Sequence, residues 1–277
     1  MSFFDAIAQH TFLQHALVGG LLASLTCGVV GSFVVVRRIG YLAGGIAHAV
    51  LGGMGIAFFL GKAPLTGALF AALLAAIIIS FVNRRSHQQE DTIISALWAV
   101  GMATGILFIA KTPGYNVDLM SYLFGNVLMI SREDLLLIAG LDGIILLFTA
   151  LFFKQLLALC YDPEFATLRG IRVEALNTLL LCLVAVTVVI LIQIVGLILV
   201  IALLTLPAAT ARLYAATLVG MMALATLFGL AITSGGLALS YTYNLPAGAT
   251  IALLCGLSYL VAITLPSRQF RSLFRLG

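Results

Sequence analysis

The stretch LNTLLLCLVAVTVVILIQIVGLILVIALLTLPAATARLYA, Leu176–Ala215, carries no charged side chain before Arg212. A membrane-crossing helix needs about 20 apolar residues, so this run is too long for one crossing and long enough for two. Gly196 is the natural point of division, giving Leu176–Val195 and a shorter Gly196–Ala211. The second is short for a hydrocarbon layer about 30 Å thick. Polar residues do not alternate with apolar ones, as they would in a barrel strand. In lipid every backbone polar group must be satisfied internally, which leaves helices.

Working outward, the same reading applies to Phe12–Val36, Tyr41–Leu60, Leu65–Val82, Ile93–Ala110 and Leu135–Phe153 upstream, and to Ala215–Ile232 and Ala247–Leu265 downstream. The chain is predicted to be an all-α polytopic membrane protein with eight to nine crossings. Of its 277 residues, 62% are hydrophobic and 9% charged, against about a quarter charged in a soluble domain. The first run has no basic leader and is too long for a signal h-region, so it is expected to be a retained helix. Met1–His10, with Phe3, Phe4 and Ile7, is expected to lie along the membrane surface. Cys27, Cys160, Cys182 and Cys255 have no paired spacing and read as small hydrophobes, not as disulfides or metal ligands.

The net charge of +4 does not mark a nucleic-acid surface, because the 14 Lys and Arg are scattered between the apolar runs. With nine crossings, Arg37, Arg38, Arg84, Arg85, Lys154, Arg169, Arg172, Arg212, Arg268, Arg271 and Arg275 share one side. Only Lys62, Lys111 and Arg132 fall on the other. Basic residues accumulate on the cytoplasmic face, so the N-terminus is expected outside and the C-terminus inside.

The largest loop on the basic side runs from Lys154 to about Ala175. Within it Asp162 is placed to cap a helix, Pro163 suits the first turn, and Glu164 complements the helix dipole. Phe165, Leu168 and Ile171 recur at helical spacing, and Gly170 is expected to end the element. A short amphipathic helix here suits a docking element for a partner protein, the plainer reading being a helix that lies on lipid.

No phosphate-binding loop occurs; Gly61-Lys62 lacks the upstream glycine spacing and is followed by Ala63. Neither HExxH nor GxSxG is found, which removes the main support for an embedded metalloprotease or serine hydrolase. Any ATP hydrolysis that drives this protein belongs to a separate chain.

Five blocks in order resemble the zinc/manganese/iron ABC permease family. They are RRIGYLAGGIAHAVLGG (Arg37–Gly53), SYLFGNVLMISREDL (Ser121–Leu135), YDPEFATLRGI (Tyr161–Ile171), QIVGLILVIALLTLPAATARLYA (Gln193–Ala215) and LPAGATIALLCGLSYL (Leu245–Leu260). The resemblance implies one permease domain over residues 1–277, of the fold also seen in cobalamin and siderophore importers. It implies an inner-membrane homodimer with two ATP-binding subunits and an extracytoplasmic metal-binding receptor. The chain itself would hold no cofactor, and its cargo would be a divalent metal ion. Asp162, Glu164, Phe165, Leu168 and Gly170 would form its ATPase-coupling element.

His48 is the first candidate for the metal pathway. An ionisable side chain inside an apolar helix is a functional hypothesis by default, and neutral imidazole ligates divalent metals. Gly44 and Gly52 lie one turn to either side and are expected to leave room beside the ring; alternatively they form a small-residue packing surface. The family commonly carries an acid four residues before this histidine, where Gly44 stands. With one carboxylate fewer, zinc is expected ahead of manganese or iron. Asp142 and Gln193 are further pathway candidates, or equally members of interhelical hydrogen bonds. His10 and His15 bracket the outer end of the first crossing, where an interfacial role is the plainer reading. Asp118, Glu133 and Asp134 are expected outside, as receptor contacts, cation attractors or solvated loop acids.

The rivals to a metal-ion permease are a metal-chelate permease, which needs a wider path, and an ion-coupled secondary transporter. The latter predicts inverted repeats, and none is evident. A membrane enzyme using His48 and Asp142 would need them side by side.

Overall fold

Gly196 divides the long apolar run as expected. Its backbone stands at φ 78°, ψ 170°, a conformation that suits glycine alone, and a helix lies immediately on each side of it. The computed structural model describes residues 3–83, 90–112 and 130–265. The helices are α1 (Phe3–Gln9), α2 (Thr11–Arg37), α3 (Gly40–Phe59), α4 (Pro64–Asn83), α5 (Glu90–Ala110), α6 (Arg132–Leu151), α7 (Phe153–Tyr161), α8 (Pro163–Leu168), α9 (Val173–Val195), α10 (Leu197–Tyr214), α11 (Leu218–Tyr243) and α12 (Ala247–Thr264). No strand occurs among the described residues. Eight of the helices are long and apolar enough to cross a membrane, and α10 is a shorter apolar helix. At 1.5 Å per residue its 18 residues span about 27 Å.

Contacts between helix ends set the directions. At one end Arg37, the last residue of α2, donates to the Leu159 carbonyl (3.1 Å) and to Asn177 Oδ1 at the start of α9 (3.3 Å). Arg212, near the end of α10, donates to the Val35 carbonyl (3.3 Å). Tyr214 then reaches the carbonyl of Ala262, near the end of α12. At the opposite end His15 Nδ1 meets the Ile130 carbonyl, and Gln193 donates to Asp134. Thus α9 and α10 run in opposite senses and turn at Gly196. The described basic residues Arg37, Arg38, Lys154, Arg169, Arg172 and Arg212 share one end of the bundle, as the alternation of crossings requires. Arg84, Arg85, Arg268, Arg271 and Arg275 lie outside the described residues.

Within lipid, helix association rests on close packing and interhelical hydrogen bonds. α2 is the hub and touches α6, α9, α10 and α11. A Cβ at its Gly28 would stand 2.6 Å from the backbone nitrogen of Thr226, and one at Gly31 2.0 Å from the Leu204 carbonyl oxygen. These contacts explain why α11 and α10 can lie so close to it. α2, α3 and α9 are the most enclosed crossings, while α5, α6 and α12 turn most of their surface outward. The outward residues include Phe70, Leu74, Val100, Leu107, Leu136 and Leu147, the surface that a bilayer accepts.

Two sequence expectations need correction. The crossing expected to end at Ile232 runs on to Tyr243. The helix continues through Gly235 and Gly236, and a Cβ at Gly236 would stand 2.5 Å from Ile251, so that glycine permits close approach to α12. The loop expected from Lys154 to Ala175 is largely helical. Its first part is α7, anchored by buried Leu156 and Leu159, and α9 begins at Val173.

Candidate functional site

α3 and α5 pack along a seam of matched positions. Tyr41 and Ser95 share a hydroxyl–hydroxyl hydrogen bond of 2.8 Å. The imidazole of His48 stacks on the indole of Trp98, centroids 3.8 Å apart and planes 13° from parallel. A Cβ at Gly52 would stand 2.9 Å from the Gly101 carbonyl oxygen, and one at Gly55 2.5 Å from that of Gly105. Phe59 meets Phe108 edge-on at 5.3 Å. Both numbers rise together along the seam, so the helices are parallel. The glycine pairs let the backbones touch, and that closeness presses the two rings together one turn earlier.

This changes the expectation for the glycines beside His48. Gly52 does not leave room at the imidazole, because the backbone of α5 occupies its open side. At Gly44 a Cβ would lie 3.1 Å from Ile201 Cδ1 and 3.9 Å from Trp98 Cζ3, so the space there is bounded by those side chains. His48 is half-buried, and its Nδ1 is buried without a hydrogen-bond partner.

Asp142 and Gln193 are placed elsewhere. Asp142 belongs to the one buried stripe of α6, with Ile138, Ile145 and Thr149, and accepts a hydrogen bond from Thr26 Oγ1 of α2. Its Oδ2 is unpartnered. Gln193, near the end of α9, donates through Nε2 to Asp134 Oδ1. Asp134 also closes a capping box at the start of α6: Ser131 Oγ accepts from the Asp134 N–H, while the Ser131 backbone N–H donates to Asp134 Oδ2. Asp134 is therefore engaged within the bundle rather than free as a solvated loop acid. His15 is held by Ile130, and the His10 ring lies 5.4 Å from that of Phe12. Asp118 lies outside the described residues. Among the described residues no group of three or more His, Cys, Asp or Glu side chains could hold a metal ion. His48, Asp142 and Gln193 thus do not converge within one chain.

At the basic end the expected short helix is present. Asp162 Oδ1 accepts from the Phe165 N–H (2.8 Å), Pro163 opens the first turn, and Gly170 at φ 75° closes the element. Ala166 is buried and fastens α8 to the bundle. Leu168 is 87% exposed and Phe165 48%, with Tyr161 also exposed, and the Arg169 guanidinium lies 4.9 Å from the Phe165 ring centroid. An apolar cluster therefore stands free on a short, doubly terminated helix.

Residues 9–266 match the ABC 3 transport family. The chain belongs to that family. It is the membrane-spanning permease type of ABC transport subunit, and the reading as a stand-alone secondary transporter gives way. The family member MntC of Halalkalibacterium halodurans, a manganese transport system membrane protein, is 36% identical over 267 residues, covering 96% of this chain and 91% of its own. An uncharacterized membrane protein of Synechocystis, slr2045, is 44% identical over 255 residues, covering 92% and 91%. Among solved structures, PsaBC from Streptococcus pneumoniae in complex with a Fab superposes with a TM-score of 0.89 at 34% identity, covering 99% of both chains. A metal-chelate type ABC transporter in an inward-facing conformation has a TM-score of 0.69 at 17% identity, which shows the shared fold.

Trp98 is the functional candidate that reading the sequence missed. It is the chain's single tryptophan, and Gly101 and Gly105 follow it on the same helical face. Those signals were visible, but nothing local says that this face meets His48.

Proposed function

We propose that this permease translocates a divalent transition-metal ion, with His48 touching the ion on its path. The observation that carries the reading is the half-buried imidazole inside α3 whose Nδ1 has no partner. An unsatisfied ring nitrogen among apolar neighbours is costly unless something else occupies it for part of the cycle. A pathway ligand must be weak enough to release, so one nitrogen rather than a full cage suits transport. The relatives named for manganese make manganese the first cargo by similarity. The site's chemistry favours a second reading, zinc, because imidazole without a nearby carboxylate suits a borderline metal better than a hard one.

In this reading the whole chain, 1–277, is one permease domain acting as a homodimer. The basic end faces the cytoplasm, with the N-terminus outside. α8 docks an ATPase subunit through Phe165 and Leu168, with Asp162 and Gly170 holding its shape and Glu164 at the rim. An extracytoplasmic receptor delivers the ion to the opposite end. Asp142 and Gln193 then hold helices together beside the path. Uptake of labelled manganese and zinc by cells expressing the chain with its ATPase and receptor tests the reading. Leu168→Asp is expected to reduce uptake of both ions and loosen ATPase association, because a desolvated apolar contact outweighs a rim charge. Wild-type ATPase binding and uptake in that variant would remove α8 as the docking element.

A further inference from the structure

We propose that Trp98 is the positioning residue for His48 and a determinant of which divalent ion passes it. The inference rests on the proposed role of His48. A metal-binding histidine ordinarily has its second ring nitrogen fixed by a hydrogen bond, which sets the ring's orientation. His48 Nδ1 has none. What holds the ring is the indole, 3.8 Å away and 13° from parallel. The indole is held in turn. The backbones of α3 and α5 meet at Gly52 and Gly101 just beyond the stack, and Tyr41 bonds Ser95 on the side before it. Tyr41 also leans on the indole, centroids 6.5 Å apart.

The same ring shapes the donor set. Trp98 Cζ3 stands 3.9 Å from where a Cβ on Gly44 would be, and Ile201 Cδ1 stands 3.1 Å from it. One turn from the imidazole, the space where a carboxylate could join it is bounded by an indole and an isoleucine. An ion beside His48 therefore meets one nitrogen and an aromatic wall, a pairing that disfavours an oxygen-seeking ion relative to a nitrogen-seeking one.

Because Trp98 is the only tryptophan, its fluorescence in the full-length chain, purified in lipid nanodiscs, reports on this stack alone. Adding Zn²⁺ is expected to change Trp98 emission in the wild-type chain and not in His48→Gln. In cells, at matched membrane levels, Trp98→Leu is expected to raise the KM for zinc uptake about tenfold, as loss of a group that orients a ligand does. Vmax should change less, and the zinc-to-manganese uptake ratio should fall. Trp98→Phe keeps an aromatic face and should recover most of the KM. Wild-type KM and ion ratio in Trp98→Leu, with uptake abolished in His48→Ala, would overturn the positioning role and leave the proposed function standing. Wild-type uptake in both variants would sink the two together. Should Trp98→Leu not reach the membrane, a Zn²⁺ response of equal size in the wild-type chain and in His48→Gln would by itself refute the assignment.

Discussion

Asp142 of α6 and His48 of α3 are both ionisable side chains inside apolar crossings, and they are met in opposite ways. Asp142 lies buried against α2, where Thr26 donates to one of its oxygens. His48 is half-buried, its Nδ1 is unpartnered, and its ring stacks on the flat face of Trp98. A carboxyl in a helix interface can tie two helices, as polar side chains do across membrane bundles. A stacked imidazole with an unused nitrogen keeps a donor in reserve. Polarity within an apolar helix is thus not by itself a site: each side chain keeps one unpartnered atom, and the difference is that Asp142 also ties two helices through Thr26 while the His48 ring is stacked, not bonded.

The contrast is broken most directly by deleting each group in turn. His48→Ala is expected to lower metal uptake by more than about tenfold at unchanged membrane level, a loss at least as large as that from removing a ligand's support. Transport at the wild-type rate would give His48 the structural role proposed for Asp142.

Gly52→Ala attacks the frame that sets the stack. Its Cβ would press on the Gly101 backbone oxygen from 2.9 Å, and backbone cannot swing aside as a side chain can. Thermal unfolding of the purified chain should register about 1–3 kcal/mol of destabilisation, the usual cost of overpacking. Uptake should fall with it as the rings separate. An unchanged melting temperature would mean that the two helices are free to part.

The smallest effect is expected at Asp142→Asn. The amide oxygen still accepts from Thr26, and an interhelical hydrogen bond in a membrane is worth about 1 kcal/mol. Stability should therefore stay within about 1 kcal/mol of wild type and uptake should be unchanged. A large loss of transport with normal stability would reverse the comparison and make Asp142 part of the ion path.

Several features followed from residues close together in the chain. Apolar length and the spacing of Lys and Arg gave the crossings and their alternation, since a helix must match the bilayer and basic side chains must sit at its ends. Asp162, Pro163 and Gly170 gave α8, because a cap and a stop act within a few residues. Gly196 gave the turn between α9 and α10 for the same reason. The pairing of partners distant in sequence was decided only by the bundle. Thr26 and Asp142 are 116 positions apart, Asp134 and Gln193 59, and His48 meets Trp98 across the full length of α4. Such pairs depend on which helix faces touch, and that is set by where small residues let backbones approach. Gly235 and Gly236 illustrate the limit. The same residue type that ends α8 at Gly170 lies here within a continuous helix, and only the nearness of Ile251 explains Gly236.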